Sequence, residues 1–460
     1  MRKTINLMLT LAATGVLCSG QAKAQGPATS FLRQPASFAQ TGYDYDGYYG
    51  DYYADDEDPD KPDAGQNAAG DSCAAGDSCD SCDPGGYFGG FFSTDGPGLI
   101  TVSGWVNGSA TTNDANAGAF PNNPENFLVP IGPKPRGRGS NFPVGFNDRE
   151  QGQLNQLYLV LERELDTSSR GWDVGGRVDL LYGSDARFTQ ALGLDDQIIS
   201  DKDSLEYKMA IPQLYASFGL GDLTVNVGHF YTIIGYEVVT APDNFFFSHA
   251  YTMQYGEPFT HTGFLANYQV GDGITLYSGL TRGWDNWEDN NGNLSYLGGV
   301  SVSLGENTTV AFAITSGNED DAGANNRTLY SIVATHKMGP LTYILQSDNG
   351  SENDASAVVA GQDAEWYGVN QYLLFDYNDL LALGMRFEWF RDDDGARLGV
   401  GDTNFFQYTL GANVKPADNV IIRPEVRWDW QGGGAASTPI FALGTENSLF
   451  TAAFDFIVTY

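Results

Sequence analysis

The chain has 460 residues, with 24 Lys and Arg against 58 Asp and Glu, for a formal net charge of −34. So acidic a balance excludes a nucleic-acid binder as the default, because phosphate recognition runs on clustered Lys and Arg. Charged residues make up only 18%, while aromatics reach 13% and Gly numbers 57, a profile of many short strands rather than helices.

Arg2-Lys3, an apolar run from Ile5 to Leu17 and the small residues of Ala22-Lys23-Ala24 follow the order of a secretory signal. Residues 1–24 are therefore expected to be a leader, cleaved before Gln25. Cys18 follows Leu17, where a lipidation signal requires a small residue. The rest of the chain holds no stretch of about 18 apolar residues, which excludes membrane-spanning helices. Residues 25–97 read as a disordered acidic extension. The aromatic-acidic run Tyr43–Tyr49 leads into an acidic segment at Asp51–Asp63 and then into Gly-, Ala- and Ser-rich sequence, which buries too little apolar surface to fold. Cys73, Cys79 and Cys82 are the only cysteines after the leader. Three is odd, so one internal disulfide leaves one thiol; a crosslink to another envelope protein and metal binding stay open beside it. The acidic run lacks EF-hand spacing.

From about Leu99 the apolar residues alternate, and residues 98–460 form the second expected domain. Ile100, Val102, Val106 and Ala110 share one parity, with Thr101, Ser103, Asn107 and Ser109 on the other. Trp172, Val174, Val178, Leu180 and Tyr182 alternate with Asp173, Arg177 and Asp179. Val420, Ile422, Val426, Trp428 and Trp430 face away from Arg423, Glu425, Arg427 and Asp429. A period of two places these sets on opposite faces of a sheet.

The connections sort by length. Tight turns are predicted at 219–222, 271–273, 305–307, 338–340, 376–379 and 416–419. Long polar connections are predicted at 112–150, 184–206, 232–261, 283–293, 317–326, 348–363, 392–404 and 431–446. Short and long alternate, which yields about sixteen strands of the 9–11 residues that cross a bilayer obliquely. The fold class expected is all-β: a transmembrane antiparallel β-barrel with short periplasmic turns and long extracellular loops. A closed sheet pairs every backbone N–H and C=O without an edge, which lipid demands. About sixteen strands leave a lumen wide enough for water. The final segment puts Phe450, Ala452, Phe454, Phe456, Val458 and Tyr460 on one face and ends on an aromatic residue. Phe456, Val458 and Tyr460 resemble the terminal signal read by the barrel assembly machinery, which makes that machinery an expected partner.

Gly176–Gly183, Pro212–Tyr215, Gly228–Glu237, Asp243–Tyr251, Gly256–Gly263, Arg386–Asp392 and Arg423–Arg427 resemble the OmpL-like putative β-barrel porins. The similarity covers roughly 98–460 and leaves the acidic extension outside. It implies a porin-type barrel in an outer membrane, and no particular solute.

The 232–261 connection is rich in aromatics, among them Tyr236, Phe245, Phe246, Phe247, Tyr251, Tyr255 and Phe259, so something must cover them. It is expected to fold into the barrel and narrow it, bringing Glu237, Asp243 and Glu257, with Tyr236, His249 and His261, to a constriction. An external loop packed on its neighbours or on another protomer is the other possibility. Arg177, Arg386, Arg423 and Arg427 have lumen parity, each two residues from a carboxylate: Asp179, Glu388, Glu425 and Asp429. On the lipid side each charge costs about 2–4 kcal/mol near the midplane, which fixes the assignment. Such a ladder facing acidic loop residues sets a transverse field that filters solutes, or the pairs only stiffen the wall. His229, His249 and His261 match no metal motif, and Ser248-His249 has no GxSxG elbow, so no metal, catalytic residue or cofactor is expected. The expected function is passive diffusion of small hydrophilic solutes or ions, with cations enriched at an acidic mouth. Outer-membrane lipid surrounds such a barrel, and a homotrimer is the expected assembly. The alternative is a secreted soluble β-sandwich, a surface or carbohydrate-binding protein.

Overall fold

The computed structural model describes residues 100–114, 129–131, 134–136, 152–168, 170–196, 207–432, 439–444 and 446–460. The leader, the acidic extension and its cysteines lie outside the described residues. Eighteen strands follow in chain order: β1 (Thr101–Asn113), β2 (Val129–Ile131), β3 (Lys134–Arg136), β4 (Gln153–Arg163), β5 (Trp172–Gly183) and β6 (Lys208–Leu220). Next come β7 (Leu223–Tyr231), β8 (Thr260–Gln269), β9 (Ile274–Thr281), β10 (Ser295–Ser303), β11 (Thr308–Asn318) and β12 (Asn326–Met338). The last six are β13 (Leu341–Glu352), β14 (Ala364–Asn378), β15 (Leu381–Asp392), β16 (Thr403–Ala417), β17 (Val420–Gly432) and β18 (Ser448–Thr459).

β2 and β3 form a separate ribbon. The other sixteen strands close into one antiparallel barrel in which each pairs with its sequence neighbours. β1 completes the ring by pairing with β4 on one side and β18 on the other, in register Trp105↔Tyr158 and Trp105↔Thr459. The C-terminal residue fastens this seam: the Tyr460 backbone N–H donates to Gly104 O at 2.9 Å, and its hydroxyl donates to Tyr158 O at 2.9 Å. Because the sheet closes instead of stacking as two layers, the secreted-sandwich alternative has no support.

The alternating faces separate as a bilayer requires. Trp172 and Trp428 are 49% and 56% exposed, and Val102, Phe218, Val227, Phe264, Val426 and Phe454 also point outward. Arg177, Asp179, Gln213, Asn370, Glu425 and Asp455 are buried on the inward side. Outward apolar side chains gain by leaving water for hydrocarbon, and inward polar ones keep hydrogen-bond partners.

Two expectations of length need correction. β13 runs on to Glu352, so the connection is 353–363 rather than 348–363. Asp348-Asn349-Gly350-Ser351-Glu352 reads as loop because it is polar, yet an inward or rim position of a barrel tolerates that composition. Nor do short and long connections alternate strictly: 164–171, on the short-turn side, is longer than 319–325 on the opposite side. The 164–171 turn is held by Asp173, which accepts from Asp166 N at 2.9 Å and pairs with Arg163 at 3.1 Å.

Candidate functional site

The connection from Thr232 to Phe259 leaves β7, folds inside the barrel and returns to β8. Its base is closed by Thr232 N–H donating to Phe259 O at 2.9 Å. His261 stands at that foot, its Nδ1 3.0 Å from Gly283 O and its Nε2 3.0 Å from Thr232 Oγ1. The loop then lies along the far wall. A single 3-10 turn at Ala241–Asp243 and a π turn at Thr252–Gly256 are its only helical pieces among the described residues.

Wall side chains bind the loop backbone in succession. On β4, Gln156 Nε2 donates to Val239 O at 2.7 Å, and its Oε1 accepts from Ala241 N at 3.1 Å. On β17, Arg423 Nη1 donates to Ala241 O at 2.7 Å and Asn244 O at 2.6 Å while its other edge holds Asp455 of β18. Glu425 accepts the N–H groups of Phe247 at 3.0 Å and Ser248 at 3.2 Å, and the Ser248 hydroxyl as well. Arg427 donates to His249 O at 2.6 Å and pairs with Asp429 at 2.8 Å. On β15, Glu388 accepts from Tyr251 N at 2.7 Å and Thr252 N at 2.6 Å, and Arg386 donates to Ser248 O at 2.6 Å. A loop buried in a lumen carries backbone polar groups that must be satisfied, and these wall charges satisfy them.

The aromatics dock where the wall has no side chains. A Cβ on Gly384 of β15 would stand 2.2 Å from the Phe245 ring, and one on Gly368 of β14 would stand 2.3 Å from Thr252 Oγ1. Phe246 lies over Gly411 of β16, with the Arg386 guanidinium 5.0 Å from its ring centre. Three inward glycines on neighbouring strands thus form a shallow groove for the loop.

The expected constriction residues fall in different surroundings. Tyr236 packs on Tyr372 of β14, ring centres 4.8 Å apart. Glu237 accepts from Arg386 at 2.5 Å, Tyr372 OH at 3.0 Å and Ala250 N at 2.8 Å. Burial alone would raise the Glu237 carboxyl, but Arg386, with His249 and the Ala250 N–H, holds it down at about 2. His249 Nδ1 is 3.5 Å from Glu237. Glu257 is buried against Gln346 and Asp348 of β13. Asp243 alone of the three loop acids is exposed, its carboxylate accepting from Thr240 Oγ1 at 2.5 Å.

All eight expected wall residues lie on the inward side, and the loop covers the set on β15 and β17. Arg386, Arg423 and Arg427 are between 0% and 2% exposed. Arg177 and Asp179 form their own buried group, with Arg177 Nε 2.6 Å from Asp179 and the Tyr158 hydroxyl 2.6 Å from the same carboxylate. These charges face protein rather than open water. Sequence reasoning did not find Gln156, Gln346, Asp348, Trp366 or Arg397 as partners of the loop. Trp366 donates to Gly256 O at 3.0 Å, and Arg397 donates to Tyr255 O at 2.7 Å. Gln156, Gln346, Asp348 and Trp366 share the inward parity, which was the available signal. Arg397 lies on an external connection and had none.

A closed sixteen-stranded barrel with an apolar exterior and a loop folded into its lumen is an outer-membrane porin. The chain belongs to the family described as putative beta-barrel porin-2, OmpL-like, whose model matches residues 99–460. No curated protein matches the sequence. Among solved structures, the barrel is similar to an anion-selective porin from Comamonas acidovorans, at 10% identity over 78% of this chain and 99% of that one, TM-score 0.52. It is also similar to OmpF of Salmonella typhi in complex with daunomycin, at 9% identity over 78% and 97%, TM-score 0.51. The outer membrane channel DcaP of Acinetobacter baumannii is similar at 13% identity over 79% and 97%, TM-score 0.50. At such identities the likeness is one of fold.

Proposed function

We propose that this porin passes small hydrophilic solutes and ions by diffusion through the space beside the Thr232–Phe259 loop, with a preference for cations. The observation that carries the proposal is the fastening of that loop across the lumen by Gln156, Arg386, Glu388, Arg423, Glu425 and Arg427. A loop so held narrows the passage at a fixed place. In this proposal the wall charges act chiefly as fasteners, since each is engaged and buried, and Asp243 is the loop acid that meets passing solutes. Cation preference is supported by exposed Asp289, Asp321, Asp354 and Asp363 on the 282–294, 319–325 and 353–363 connections, which concentrate counterions at the mouth. Planar bilayers under a KCl gradient test it: the reversal potential should have the sign of cation selectivity, and clear anion selectivity would overturn that part. Liposome swelling with sugars of graded size tests diffusion itself.

The remaining parts of the proposal have separate tests. The leader ends before Gln25, to be read from the mass of the mature chain. Phe456, Val458 and Tyr460 present the assembly signal, tested by accumulation of unfolded Tyr460→Ala chain in the periplasm. The protein assembles as a homotrimer, for which the polar outward residues Ser347 and Asn349 of β13 offer a contact patch. An unboiled gel showing only a monomer band would remove the trimer.

A further inference from the structure

One cluster in the lumen is not a fastener of the kind described above. Glu257, near the C-terminal end of the loop, and Asp348 of β13 are gathered on one side-chain amide. Between them lies Gln346, whose Nε2 donates to Glu257 Oε1 at 2.6 Å and to Asp348 Oδ1 at 3.0 Å. Ser331 of β12 donates to Asp348 Oδ1 at 2.6 Å, while Asp348 Oδ2 receives no hydrogen bond from any donor group. Glu257 is 3% exposed and Asp348 2% exposed. The Glu257 carboxyl also lies where a Cβ on Gly235 would stand, 2.2 Å from Oε2, and Gly235 has φ +87°. Both arms of the loop therefore converge on this pair.

Among the described residues, no ion pair joins either carboxyl to a Lys, Arg or His. The charged and titratable groups around the pair are committed elsewhere. Glu237 of the same loop is matched by Arg386 of β15 and Tyr372 of β14. Arg397 is engaged with Tyr255 O, and Arg327 of β12 pairs with Glu352 of β13. His261 is bonded at the loop's foot. An ionised carboxylate only accepts hydrogen bonds, so two carboxyls gathered on one amide can bond to each other only when one of them carries a proton. Two buried carboxylates of like charge cannot both ionise without separating.

We propose that Glu257 and Asp348 share one proton, and that this proton latches the C-terminal arm of the loop to β13, so that its loss frees the arm and loosens the passage. Burial, reinforced by adjacent Asp348, pushes the Glu257 carboxyl well above the usual carboxylate range, so the latch persists well past the pH at which a free Glu ionises. The proposal rests on the pore reading for its effect on conductance, and not for the shared proton itself.

The test uses the full mature chain. In planar bilayers between pH 5 and pH 10, wild-type conductance should rise reversibly, with added flicker, across one titration step. Glu257→Gln and Asp348→Asn replace the proton-dependent bond with an amide that donates at every pH, so each should give a flat profile. A flat wild-type profile, or the same step in both variants, would overturn the latch. Infrared difference spectra between acid and alkaline pH give a second measurement independent of transport. A protonated-carboxyl band stronger in wild type than in either variant is expected, and equal intensity in all three would count against the pair. A chain that never conducts would end the pore reading, with the infrared result still deciding the latch. Unboiled gel mobility shows that each variant is folded.

Discussion

Arg423 shows what a single inward residue does here. One edge of its guanidinium holds Asp455 of β18, and Nη1 donates to two loop carbonyls. Replacing it by Met leaves the buried Asp455 carboxylate without its cation, held only by Asn107 Nδ2 at 2.7 Å, and takes a charged donor from two loop carbonyls. Removing one partner of a buried pair costs about 3–5 kcal/mol. Arg423→Met should therefore lower the temperature at which the folded band shifts on gels, and should add noise to the open channel. Arg163 is the control: its pair with Asp173 sits at a turn with the Arg side chain 33% exposed. Exposed pairs of that kind contribute only about 0–1 kcal/mol. Equal transitions for Arg423→Met and Arg163→Ala would contradict this assignment. Parity in the sequence told which way Arg423 points. It could not tell that the group opposite is a loop carbonyl rather than water, because that depends on a segment more than 170 residues away in the chain.

At the scale of elements, the loop and the wall are made for each other. The sequence marks the 232–261 segment by its aromatics, which cannot be left in solvent. The groove that receives them is invisible in sequence, since Gly368, Gly384 and Gly411 become a docking surface only when three strands stand side by side. The same holds for strand ends, where the polar run after Gln346 was taken for loop although it continues β13. Replacing residues 236–257 by a short Gly-Ser bridge should raise single-channel conductance severalfold and admit larger sugars. It also removes Glu237 and exposes Arg386, Arg423 and Arg427 together with Glu388 and Glu425. The reversal potential should then move toward anions, because the bridge removes Glu237, Asp243 and Glu257 and no Lys or Arg. Unchanged conductance in the bridged variant would show that the loop does not set the passage.

For the whole molecule, the deciding property is the sorting of side chains between hydrocarbon and lumen. Val426 and Phe454 face outward, 40% and 50% exposed. An Arg at either position meets lipid and should cost about 2–4 kcal/mol near the midplane, less toward the rims. Val426→Arg is expected to shift the unfolding midpoint in urea with lipid vesicles, whereas Thr335→Ser on the inward face should leave it nearly unchanged. An equal shift for both would mean that the outward face is not in contact with lipid. The sequence by itself determined the class of fold, the approximate number of barrel strands and the face their alternating residues take, because strand periodicity is a local property of the chain. Only the tertiary structure decided how the lumen is filled. Closure brings β4 and β13–β18 around one loop, and whether a buried charge serves as filter, fastener or latch depends on partners that no local pattern specifies.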